Sequence, residues 1–146
     1  MLKASTALRN AMLVTGSLKA RMDGGFLKLY SGAVPSDADA ALGSAVLLCL
    51  ITKDGDGTTG LTFATTATGG AVTKTVAEVW AGANVATGTV SFWRFVKTGD
   101  TGGASTTEER VQGQAALTGS ELLMTSLSLT SGAPNHIDYC TLALPA

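Results

Sequence analysis

The chain has 146 residues, 45% of them hydrophobic and 14% charged, with ten Lys+Arg against eleven Asp+Glu. That length is one ordinary domain, and the formal net charge of −1 excludes both a dedicated nucleic-acid binder and an acidic, disordered chain. Charge this far below the ~25% of typical soluble domains, with 22 Ala, 21 Thr and 18 Gly, implies a surface partly covered by neighbouring chains.

From the N-terminus, residues 5–17 carry the one helical period. Leu8, Ala11, Met12 and Thr15 fall on one stripe, with Ser5 or Thr6 as cap and Gly16 as stop. Residues 1–24 are therefore expected to form an N-terminal helical arm that folds back on the domain or docks on a neighbour. Arg9 and Asn10 interrupt any signal-peptide core, and no apolar run reaches the ~18 residues of a membrane span. A soluble protein made in the cytoplasm is expected, with no membrane partner.

After Gly24-Gly25 the texture changes to strands and turns. Strands are expected at residues 26–31, 45–53, 61–65, 71–80, 89–98, 108–117, 121–129 and 136–144. The run 45–53 is apolar on both faces and should be central. Gly113 is read as a bulge in its strand. Leu123, Leu127 and Leu129 share one face of theirs, and Cys140, Leu142 and Leu144 one face of the last. Residues 34–39 read as a loop, 53–60 as a turn and 99–103 as a hairpin tip. The expected fold is all-β, an antiparallel β-sandwich, jelly-roll-like, over residues 25–146, with one N-terminal helix. No repeat or linker divides it further.

Residues able to do chemistry are few. His136, the one histidine, has Asp138 two positions on, but both follow a turn and read as solvated. Asp54-Gly55-Asp56-Gly57 resembles the start of a calcium loop, yet Thr65 stands where the loop's terminal Glu belongs, so a tight turn is the better reading. Glu78, Glu108, Glu109 and Glu121 are scattered, and Glu108-Glu109-Arg110 looks like an exposed edge. Cys49 and Cys140 sit in apolar runs and read as reduced and buried. Trp80, Trp93, Tyr30 and Tyr139 suit either a core or a sugar-binding platform, with Trp80 near a rim. No residue set is put forward as catalytic, cofactor-binding or metal-ligating, and an enzyme is not expected.

Several stretches together carry a family likeness. They are residues 3–16, Met22-Asp-Gly-Gly-Phe-Leu-Lys-Leu-Tyr-Ser-Gly32, Val34-Pro-Ser-Asp-Ala-Asp-Ala-Ala-Leu-Gly43, Ala77-Glu-Val-Trp-Ala-Gly82, Phe92-Trp-Arg-Phe95, Gly99-Asp-Thr-Gly102 and Val111-Gln-Gly113. The chain thereby resembles the small virion structural proteins of tailed bacteriophages, and in size and β-pattern is similar to capsid cement (decoration) proteins. That resemblance implies a place on the capsid exterior, clamping the major capsid protein, with copies of itself as further partners. A tail or head-tail connector component is the alternative it leaves open, and a carbohydrate-binding module on the virion a further one. It carries over no catalytic residues and no cofactor.

Overall fold

Ser5 sets the first boundary. It ends a short strand, β1 (Lys3–Ala4), and its hydroxyl accepts the Leu8 N–H to open helix α1 (Thr6–Val14). Leu8 is buried and Met12 partly so, while Leu13 and Val14 each stand 83% exposed. The computed structural model describes residues 1–144.

The helix does not run on to Ser17. Ser17 accepts the Ala20 N–H and caps a second helix, α2 (Leu18–Met22), so two helices replace the one expected. Each cap competes for the backbone, and the chain breaks at Thr15-Gly16 between them. Leu8, Leu18 and Met22 belong to the same core cluster as the sheet, so the helices of residues 1–24 pack onto the β-structure.

The described residues are mostly β, 39% strand against 10% helix. The strands are β2 (Phe26–Ser31), β3 (Val46–Lys53), β4 (Ala71–Thr73), β5 (Trp80–Ala83), β6 (Gly88–Thr89), β7 (Phe92–Val96) and β8 (Arg110–Ala116). They continue as β9 (Leu122–Leu123), β10 (Ser128–Leu129), β11 (Pro134–Ile137) and β12 (Tyr139–Ala143). Ten of them form one curled sheet in the order β11-β5-β3-β2-β7-β8-β9-β12-β4, with β1 also on β8, and β6 pairs β10 separately. The sheet is mixed: β8 and β9 run parallel, whereas a wholly antiparallel arrangement was expected.

Several strands differ from the sequence reading for local reasons. Residues 61–65 make only isolated bridges, Gly25 to Leu61 and Phe63 to Lys74. The run 71–80 splits into β4 and β5 because the chain reverses at Thr75, whose carbonyl accepts the Glu78 N–H at 3.1 Å. In 121–129 burial falls on Leu122, Met124 and Leu129 rather than on Leu123, Leu127 and Leu129, because two short strands replace one long one. The last run breaks at Asp138; Cys140 and Leu142 are buried as expected, but Leu144 is exposed.

The central strands show how burial follows register. Leu27, Phe95 and Val111 lie in one cross-strand row and Leu29, Trp93 and Gly113 in the next, all facing the core. Phe63 packs edge-on against Trp80, with ring centroids 5.4 Å apart, and against Phe95 at 5.1 Å. Trp80 is buried there, not at a rim. Gly113 is not a bulge, since β7 and β8 keep regular register through it. A Cβ there would lie 2.5 Å from the Trp93 ring, so glycine is what lets the indole lie flat across β8. The bulge falls instead on β3, where Leu48 is the extra residue between Leu47, opposite Tyr30, and Cys49, opposite Leu29.

Gly113→Ala should therefore cost about 1–3 kcal/mol by overpacking against Trp93, read as a lowered urea midpoint. Gly103→Ala, whose added methyl meets nothing closer than 3.8 Å, should stay within about 0.5 kcal/mol of the wild type.

Candidate functional site

The opposite face of the same strands is polar and yet buried. The row Lys28, Arg94, Gln112, Lys3 crosses β2, β7, β8 and β1, and Arg110 stands two residues from Gln112 on the same face. Arg94, Arg110 and Gln112 are each about 1% exposed. What covers them is the long β2–β3 connection, residues 32–45, together with the β7–β8 connection around Asp100.

The contacts are specific. Arg110 forks onto Asp100, Nε to Oδ2 at 2.5 Å and Nη2 to Oδ1 at 2.8 Å, and its Nη1 reaches the Ala38 carbonyl at 3.3 Å. Arg94 donates from Nε to Gln112 Oε1 at 2.8 Å and from Nη2 to the carbonyls of Asp37 and Ala40 at 3.1 and 2.8 Å. Gln112 Nε2 donates to the Pro35 carbonyl at 2.9 Å, Lys3 Nζ to that of Ser36 at 2.6 Å, and the Ser105 N–H to that of Asp39 at 2.8 Å. All six consecutive carbonyls from Pro35 to Ala40 are thus occupied, although the segment has no regular structure. The loop is a strap whose carbonyl oxygens solvate two buried guanidinium groups.

The strap also fastens the N-terminus. Asp39 accepts the Thr6 N–H at 2.9 Å and the Thr6 hydroxyl at 2.6 Å, placing a carboxylate at the first turn of α1. Ser5 Oγ accepts the Arg110 N–H at 2.9 Å while the Ser5 N–H donates to the Arg110 carbonyl at 2.9 Å.

Electrostatics follow from this packing. Burial opposes ionisation of Asp100, but the Arg110 bonds, the Gly102 N–H and the charges of Arg110 and Lys28 outweigh it and hold the carboxyl below its usual 3.8. Burial, then the charge of Arg110, lowers Arg94 from the usual arginine value. A guanidinium donates hydrogen bonds and accepts none. The cluster is built to hold loops in place.

The residues singled out from the sequence lie elsewhere. His136 is exposed on β11 and Asp138 is exposed beyond its end. Residues 54–57 form a turn. Among the described residues, no group of three or more His, Cys, Asp or Glu is placed to hold a metal ion. Glu78 is a buried pin, accepting Trp80 Nε1 at 2.8 Å, the Thr62 N–H at 2.8 Å and the Thr62 hydroxyl at 2.7 Å. Glu109 pairs with Arg21, and Glu121 accepts the Ser120 hydroxyl at 3.3 Å. Arg110 is wholly buried, so the expected exposed edge at 108–110 is instead an anchor. Cys49 and Cys140 are free and buried, their thiols pushed up by burial to about 11 and about 12. Trp80, Trp93 and Tyr30 are buried and only Tyr139 is exposed, so the four aromatics form no joint platform.

An apolar cleft of about 310 Å³ lies between α2, residues 64–67, β4 and β12, with Leu18, Val72 and Leu142 in its wall and Lys19 as the one charged side chain among the described residues that line it. No described helix is long and apolar enough to cross a membrane. Comparison of the chain with protein-family models, curated proteins and solved structures returns no match.

Arg110→Met strands Asp100 in the interior and should cost about 3–5 kcal/mol, whereas Arg110→Met with Asp100→Asn should recover at least half of it, both read by urea unfolding. A double variant no more stable than the single would show that the pair is not the clasp.

The sign of the pH dependence follows from the lowered Asp100 carboxyl. Its stabilisation is fully present above the usual 3.8 and is lost as pH falls through the lower, folded value. Stability of the wild type should therefore fall more steeply below about pH 4 than that of the double variant, in urea titrations across that range.

Proposed function

We propose that this chain is a structural protein of a tailed-phage virion, a capsid cement protein that seats on the outside of the major capsid lattice and stabilises the head. The observation that carries the reading is where charge and apolar surface lie. Among the described residues, four of the few charged ones, Glu78, Arg94, Asp100 and Arg110, are buried, while eleven large apolar side chains, among them Leu13, Val14 and Val76, are exposed. A surface so poor in charge and dotted with aliphatic groups is suited to burial against other chains.

The strap supports the same reading. A cement protein must transmit force between subunits without yielding, and loops fixed through six main-chain carbonyls are held more firmly than loops packed by contact alone. A standard interface of about 1,600 Å² at roughly 25 cal/mol per Å² is a gross term near ~40 kcal/mol. Only the surplus over association costs remains as affinity, and a lattice repeats it at each site. With this reading goes a jelly-roll-like, sandwich arrangement of the curled sheet. One core cluster reached from β11 and β5 at one end and from β9 and β12 towards the other supports it.

Particle fractionation tests the assignment. Quantitative mass spectrometry should find the chain in tail-less heads at a copy number comparable to the major capsid protein, and heads lacking it should rupture at lower heat or osmotic stress. Presence in isolated tails alone, or at the few copies of a ring, would replace cement by a tail or connector role. Binding to glycan arrays that Tyr139→Ala abolishes would favour the sugar-binding alternative.

A further inference from the structure

The turn at residues 54–57 takes no part in the strap or in the proposed role. It holds two of the chain's three Asp-Gly dipeptides, the third being Asp23-Gly24. In such a pair the glycine amide nitrogen can reach the aspartyl side chain, because no Cβ on the second residue blocks the approach. Whether it does so in a folded chain depends on how firmly the carboxyl and the amide are held.

Two of the three are held at both groups. Asp23 accepts Lys19 Nζ at 2.5 Å and the Phe63 N–H at 2.9 Å, and the Gly24 N–H is bonded to the Leu61 carbonyl at 2.9 Å. Asp56 accepts the N–H groups of Thr58 and Thr59 at 2.8 and 2.7 Å and the Thr59 hydroxyl, and the Gly57 N–H is bonded to Thr52 Oγ1 at 2.9 Å. Those bonds, the Thr59 hydroxyl first, hold the Asp56 carboxyl at about 2.

Asp54 differs on each count. Its exposed side chain makes no hydrogen bond or ion pair among the described residues, and the Gly55 N–H reaches the Thr52 carbonyl at 3.3 Å, the longest of the three amide contacts. It is also the one non-glycine residue among those described with a positive φ, 55°, a conformation an L-residue holds under strain.

We propose that Asp54 is the protein's site of spontaneous aspartate isomerisation, converting to isoaspartate through a succinimide formed with Gly55. The Gly55 nitrogen gives its proton to solvent and bonds to Asp54 Cγ, and the Cγ–OH bond breaks with loss of one water. Water then adds to the ring. Attack at the main-chain carbonyl carbon breaks its bond to the Gly55 nitrogen and leaves the chain running through Cγ, with the former main-chain carbonyl carbon as a free carboxylate. Attack at Cγ restores aspartate. No oxidant or cofactor enters, and the mass is unchanged. The inserted backbone carbon falls in the turn after β3, where the Asp54 N–H is bonded to the Val79 carbonyl and the Gly55 backbone lies against Ala81 of β5.

The test ages the intact protein at neutral pH beside a urea-unfolded sample, then labels both with isoaspartyl methyltransferase. Electron-transfer fragmentation locates each isoaspartate and separates Asp54 from Asp56. The native protein should accumulate it at Asp54 about tenfold or more faster than at Asp56, whose carboxylate must first give up its charge-assisted hydrogen bonds to Thr58 and Thr59, and faster than at Asp23. In the unfolded chain the three sites should become similar. Asp54→Glu should remove the native signal. A native profile spread evenly over the three sites, led by Asp23 or Asp56, or matching the unfolded one would overturn the proposal.

Discussion

Two guanidinium groups sit in the interior on one face of the sheet, and only one of them has a carboxylate against it. An unpaired buried cation costs several kcal/mol unless something takes the place of water. Here the carbonyls of Asp37 and Ala40 and the Gln112 side chain take that place for Arg94, leaving its Nη1 without a partner among the described residues. The strap from Pro35 to Ala40 has no regular structure because its carbonyls are turned towards Arg94, Arg110, Gln112 and Lys3 instead of towards another strand. The order of the loop and the burial of the charges are thus one constraint seen from two sides. Neither would persist without the other, and the first turn of α1 is fastened to both through Asp39.

That constraint shapes the exterior. Drawing Arg94, Arg110 and Asp100 inward lowers the charge of a surface that composition had already left poor in it, and leaves Leu13, Val14 and Val76 in solvent on a framework braced from within. A rigid, weakly charged surface loses little conformational entropy on docking and little solvation of ions. Those properties suit the proposed role.

Much of the scaffold was legible from local pattern. β2 matches its expected span, β3 begins one residue late, α1 begins beside its expected caps, and the turn at 53–60 stands where glycine and aspartate placed it. What failed was whatever depended on distant partners. Nothing near Gly113 in the chain reveals that Trp93 will lie across it, and the split of 71–80 is set by Thr75 and Glu78 meeting Thr62. The strap was legible only as a loop. A signal for it did exist: Lys28, Arg94, Arg110 and Gln112 alternate with core residues, which marks a polar face. The alternation by itself does not say what covers that face; only the fold shows that residues 32–45 do.

The bond from the Arg110 N–H to Ser5 Oγ spans 105 positions. Contacts separated by so much chain close slowly, since the loop entropy is lost before any contact offsets it. α1 is synthesised before β8, so its Ser5 anchor closes only once β8 has followed. Until then the buried Ser5 lacks the Arg110 backbone groups that it bonds in the finished fold. Seating of α1 is therefore a late event in folding, whatever order the other strands take.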